Sequence, residues 1–64
     1  LIVNGKNMDF PPGTTVAKML ETLDINQGRV VVQVNLKIVP KDQYGQTRLN
    51  SDDKVEIIGF VGGG

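Results

Sequence analysis

The groups that could do chemistry in this sequence are few, and the absences narrow the choice first. None of the 64 residues is histidine or cysteine. That removes the usual general base near neutral pH and the commonest metal ligand. It also leaves no disulfide and no thiolate metal site. Asp52-Asp53 offers two adjacent carboxylates, but it closes Asn50-Ser51-Asp52-Asp53, four residues that favour turns, and the turn accounts for it. Tyr44, the single tyrosine, fits a plug at one end of a small core better than a catalytic acid. Lys18, Lys37, Lys41 and Lys54 read as solvated surface, with some of them open to acidic partners. No metal site is expected, and no cluster could carry out catalysis alone. One feature is left without a role, the closing run Phe60-Val61-Gly62-Gly63-Gly64. Its glycines bear no side chains and lose the most backbone freedom on ordering. The plain reading is a frayed terminus.

The elements around that run must supply any function it has. Seven basic residues balance seven acidic ones, so no net field favours nucleic acid or an anionic membrane. The apolar runs are a few residues long, far below the ~20 that cross a bilayer. No charged leader precedes an apolar stretch, so no signal peptide is expected. These features predict a cytoplasmic domain, monomeric by default. A chain of this size buries only roughly 60% of the surface exposed on unfolding, which allows one thin core.

Asn4-Gly5 predicts a two-residue hairpin turn, since both residues tolerate positive φ. Val3 would then face Lys6, and Leu1 would face Met8. Leu1, Val3, Met8 and Phe10 would share a buried face. Pro11-Pro12-Gly13 ends the second strand, and Thr14 or Thr15 caps a helix. Val16, Met19, Leu20 and Leu23 follow at the spacing of an apolar helical stripe. The helix is expected to run about three turns, to a stop at Asn26-Gln27-Gly28. Val30, Val32 and Val34 would line the inner face of the next strand, with Val31 and Gln33 outside. Asn35-Leu36-Lys37 bends the chain before a short strand at Ile38-Val39, and Leu49 anchors the turn through Asp53. In the last strand Val55 and Ile57 face inward, so Ile58 and Phe60 point outward. The order predicts an α+β fold of the β-grasp, ubiquitin-like type: a mixed sheet of four to five strands with one helix across it. Residues 1–61 would form the domain and 62–64 a flexible glycine tail.

The segments VNGK, PPGTTVAKML, VVVQVNLKIVPKDQY, KVEII and the closing VGGG together resemble the ThiS family of sulfur carrier proteins of thiamine biosynthesis. The likeness runs from Leu1 to Gly64. Two positions depart from the family pattern. Asp52-Asp53 replaces the frequent Gly-Asp, which asks Asp52 to adopt a left-handed conformation, and Lys41 stands where arginine is usual.

The resemblance implies that the reactive group is the α-carboxylate of Gly64. A ThiF-type adenylating enzyme would activate it with Mg-ATP, so the chain itself needs no bound cofactor. Sulfur from a cysteine desulfurase relay would convert it to a thiocarboxylate, and thiazole synthase would use that sulfur to build the thiazole ring. Gly62 and Gly63 would let the tail enter the narrow sites of both enzymes. Val31, Ile58, Phe60 and Val61 would form the docking patch, as clustered exposed apolar groups often do, with strand addition at the sheet edge. On this reading the protein is a co-substrate and not an enzyme. The alternatives are the small subunit of molybdopterin synthase and a ubiquitin-like modifier conjugated through Gly64.

Overall fold

The computed structural model describes residues 1–59. Phe60, Val61, Gly62, Gly63 and Gly64, and with them the expected boundary between domain and tail, lie outside the described residues. At the N-terminus β1 (Ile2–Val3) and β2 (Lys6–Asn7) form the expected hairpin. Asn4 and Gly5 take φ of 49° and 82°, the positive values that a two-residue turn of this type needs. Val3 pairs with Lys6, and the Met8 amide donates to the Leu1 carbonyl at 2.8 Å. Val3 is buried, and Leu1, Met8 and Phe10 pack against the core beside it.

Helix α1 (Val16–Thr22) starts where Thr15 caps it. The Thr15 hydroxyl accepts from the Lys18 amide at 3.1 Å, while the Thr14 hydroxyl turns back to the Pro11 carbonyl. The helix has seven residues, about two turns rather than three. Asp24 ends it early by taking φ of 59°. The Ile25 amide then reaches the Leu20 carbonyl and the Asp24 amide reaches Glu21, the paired bonds of a left-handed helix stop. Asn26-Gln27-Gly28, the expected stop, instead opens a separate 3-10 turn at Gln27–Arg29. So short a helix is not stable alone. Val16, Met19 and Leu20 are fully buried on the sheet, and each such side chain contributes roughly 1.5–3 kcal/mol.

The sheet is completed by β3 (Val30–Val34), β4 (Lys37–Val39) and β5 (Lys54–Gly59). The strand order is β2-β1-β5-β3-β4. β1 and β5 run parallel at the centre, and the other neighbours are antiparallel. With the helix across one face, this is the β-grasp arrangement. Val30, Val32, Val39 and Val55 supply the inner face, and Tyr44 and Leu49 complete the core.

β3 and β4 are joined by a second two-residue turn, Asn35-Leu36, with φ of 52° and 70°. The turn before β5 departs from the expectation for Asp52. Among the described residues positive φ outside glycine is confined to Asn4, Asp24, Asn35 and Leu36, so Asp52 is not left-handed. The neighbouring carboxylate removes the need. Asp53 accepts from the Asn50 amide and from Asn35 Nδ2, each at 2.8 Å, and its own amide donates back to the Asn50 carbonyl at 3.0 Å. The turn is closed by a side chain rather than by a left-handed residue.

Candidate functional site

The candidate site begins where β5 runs out toward Gly59. Along β5 Val55 is buried and Ile57 packs on the core, whereas Ile58 is 48% exposed. The alternation follows from the period of two along a strand. Val31 lies directly opposite Ile58 on β3. In an antiparallel pair, opposed side chains stand on the same face, so Val31 and Ile58 form one apolar step on the sheet face away from the helix. The structure therefore brings together two members of the expected patch, and Phe60 and Val61 fall outside the described residues.

That face is wider than the sequence reading made it. Ile38 pairs with Gln33, two residues along β3 from Val31, and is 64% exposed. Gln33 in turn faces Glu56. Ile38, Val31 and Ile58 thus make a diagonal apolar band with one polar row, Gln33 and Glu56, along its side. The signal for Ile38 was present in the alternation of Ile38 with the buried Val39. Leu36, at the tip of the β3–β4 turn, is 84% exposed.

Two asparagines hold β5 from opposite sides, and neither was assigned this work from sequence. Asn35 Oδ1 accepts from the Lys54 amide at 3.0 Å, at the start of the strand. Asn4 Oδ1 accepts from the Ile57 amide at 2.7 Å, and Asn4 Nδ2 donates to the Ile57 carbonyl at 3.3 Å. Both asparagines sit in tight turns, where the residue type is expected for its backbone alone. Their side-chain partners are 19 and 53 residues away, which is why local sequence gives no hint of them.

Other polar side chains make contacts within the fold. Asp53 is used up in its turn. Lys41 Nζ donates to the Gln27 carbonyl at 3.1 Å, tying two 3-10 turns together. Lys18 and Glu21 form an exposed pair at 3.4 Å, of the kind worth at most a few tenths of a kcal/mol. Among the described residues no three of His, Cys, Asp and Glu are grouped to hold a metal ion. No helix among them is long and apolar enough to cross a membrane.

Comparison with known proteins gives this geometry a context. The model of the ThiS family matches residues 1–64. A thiazole synthase of Paramagnetospirillum magneticum is 42% identical over 64 residues, covering 100% of this chain and 20% of that protein. The chain thus spans about a fifth of that relative's length. The sulfur carrier protein ThiS of Bacillus subtilis is 34% identical over 65 residues, covering 100% of this chain and 98% of its own. The crystal structure of the thiamine biosynthesis protein ThiS from Geobacter metallireducens superposes with a TM-score of 0.80 at 29% identity, covering 98% of this chain and 96% of that one.

Proposed function

Because the chain belongs to the ThiS family, we propose that it is a sulfur carrier of thiamine biosynthesis and that Gly64 bears the carboxylate that is loaded. The observation that carries this reading is the match to the ThiS family along residues 1–64, in a fold whose central strand β5 is the last described element. Of the relatives covered along nearly their whole length, the Bacillus subtilis protein is named a sulfur carrier protein and the Geobacter metallireducens protein a thiamine biosynthesis protein. The chain is then the substrate of other enzymes rather than a catalyst.

The chemistry follows from the carboxylate. With an unperturbed pKa of roughly 3.5 it is ionised at neutral pH and is a poor electrophile. In the proposed sequence one of its oxygens attacks the α-phosphorus of Mg-ATP on a ThiF-type enzyme, and pyrophosphate leaves. The outer sulfur of a persulfide supplied by a desulfurase relay then attacks the acyl carbon and AMP leaves. A second thiol attacks the other sulfur of the resulting acyl disulfide, releasing the thiocarboxylate and forming an ordinary disulfide. The product is a thiocarboxylate, which thiazole synthase consumes. The occurrence of this sequence type within a thiazole synthase chain supports that partner. The proposed dependence on ATP and on these enzymes supports a cytoplasmic location.

Docking is assigned to Val31 and Ile58 together with Phe60 and Val61. From Phe60 to Gly64 an extended chain spans up to about 16 Å at ~3.3 Å per residue, enough to reach a recessed reactive centre from a docked body. The test is intact mass spectrometry of the protein expressed from its native gene, before and after incubation with the adenylating enzyme, ATP and a sulfur donor. The expected result is a chain ending at Gly64 that exchanges one oxygen for one sulfur. A chain of native mass that stays unchanged while the enzymes load a known carrier would overturn the reading.

A further inference from the structure

We infer that Asn4 is a positioning residue for the loading reaction: its side-chain carboxamide supplies the acceptor and the donor that a continued β1 would have offered Ile57, and fixes β5 just before the segment that carries the proposed reactive end. This rests on the carrier reading above. The argument starts from the register of the parallel pair. Ile2 lies beside Lys54 and Val3 beside Val55. The Ile2 amide donates to the Asp53 carbonyl, and the Asn4 amide donates to the Val55 carbonyl. A parallel ladder continued by one step would place a carbonyl of β1 on the Ile57 amide and the following N–H on the Ile57 carbonyl. β1 cannot supply them, because the chain turns into the hairpin at Asn4 with φ of 49°.

The Asn4 side chain makes both bonds instead, Oδ1 to the Ile57 amide and Nδ2 to the Ile57 carbonyl. A primary carboxamide carries an acceptor and a donor side by side in one plane, so the ladder gains a step without a strand. On its other side β5 is paired with β3 as far as Gly59 opposite Val30. With Asn4 in place, β5 is held from both sides through Ile57, two residues before Gly59. Without it, the β1 side of β5 is released from Val55 onward, four residues earlier than Gly59.

The turn alone does not require asparagine. Glycine and aspartate serve the same turn, but glycine offers neither group and aspartate offers only acceptors. The selection of a residue with both a donor and an acceptor follows from the contact with Ile57. Asn35 provides an internal comparison. It occupies the corresponding position of the other hairpin with nearly the same φ, and its carboxamide holds the Lys54 amide and Asp53. It therefore secures the start of β5, whereas Asn4 secures the part nearest the exit.

The experiment compares Asn4→Gly and Asn35→Gly with the parent chain, all ending at Gly64 and all assayed well below their melting temperatures. Amide hydrogen exchange is read at Ile57, and ATP–pyrophosphate exchange is measured with the ThiF-type enzyme over a range of carrier concentrations. In Asn4→Gly the Ile57 amide should exchange roughly three- to tenfold faster, the effect of losing one hydrogen bond of ordinary net strength. Its kcat for pyrophosphate exchange should fall roughly tenfold with KM unchanged, since a reacting group displaced by about 1 Å can lose a hundredfold. Asn4→Asp, which keeps the acceptor alone, should fall between the two. Asn35→Gly should melt lower yet keep its kcat. Unchanged Ile57 exchange in Asn4→Gly overturns the clamp, and unchanged kcat, or an equal fall of kcat in Asn35→Gly, overturns its positioning role. An inert parent chain overturns the carrier reading itself, whereas an active parent beside an equally active Asn4→Gly overturns only the role of Asn4.

Discussion

At Leu36 the chain accepts a cost that nothing in its own core returns. A branched, apolar residue sits at φ of 70° with 84% of its surface in solvent. The left-handed region costs a residue with a Cβ roughly 1–2 kcal/mol, and glycine there would cost only about 0.5–1 kcal/mol in unfolded-state entropy. Leu36→Gly should therefore stabilise the fold by up to about 1 kcal/mol, which for a domain of this size raises Tm by roughly 4–8 °C. Thermal unfolding followed by circular dichroism checks it. A lower Tm would mean that the Leu36 side chain packs in solution. The contrast with Asn35 beside it is instructive: there the left-handed residue is offset by three hydrogen bonds, its amide donating to the Lys54 carbonyl, its Nδ2 to Asp53, and its Oδ1 accepting from the Lys54 amide.

Among the described elements, the sheet face bearing Val31, Ile38 and Ile58 carries apolar groups that lie outside the buried core. Replacing Ile58 with lysine removes a cross-strand pair worth roughly 0.2–1 kcal/mol, so Tm should fall by only a few degrees. Binding to the adenylating enzyme should weaken by about tenfold or more, because a charge in the desolvated centre of an interface costs several kcal/mol. Melting and a binding titration on the same variant decide it, and unchanged affinity would move the docking surface elsewhere. The part of this face at Val31 and Ile58 was legible in the sequence because strand periodicity fixes it: once Val55 and Ile57 point inward, Ile58 cannot. The first hairpin was legible for a similar reason, since Asn-Gly sets both the turn and the register. The length of α1 was not. Its apolar stripe continues to Leu23, but the left-handed stop at Asp24 uses a residue that gives no stop signal comparable to glycine. Nor were the turn before β5 and the Asn4 clamp, because both are closed by side chains whose partners come from distant parts of the chain. Local propensity can place an asparagine in a turn without saying what its carboxamide will meet.

At the scale of the whole molecule, the proposed reactive end follows in sequence after all of the described core. Every residue of the buried core, and every partly buried apolar residue packed on it among those described, lies between Leu1 and Ile57. A chain carrying one extra residue after Gly64 should therefore keep its Tm and its affinity for the adenylating enzyme. Its terminal carboxylate, however, is displaced by roughly 3.5 Å along the chain. A misplacement of about 1 Å is already enough to cost a reaction a hundredfold, so the extended chain should give no ATP–pyrophosphate exchange above background. Deleting Gly64 is a milder change, because Gly62-Gly63 still closes the chain as a diglycine one residue short, and reduced exchange is expected there rather than none. Melting, titration and exchange measured on the two variants and the parent separate the possibilities. If the extended chain is adenylated as fast as the parent, the terminal carboxylate is not the site and the carrier reading fails. If it is inert but has also lost its affinity, the added residue has disturbed docking, and the assignment of docking to a body separate from the reactive end is wrong.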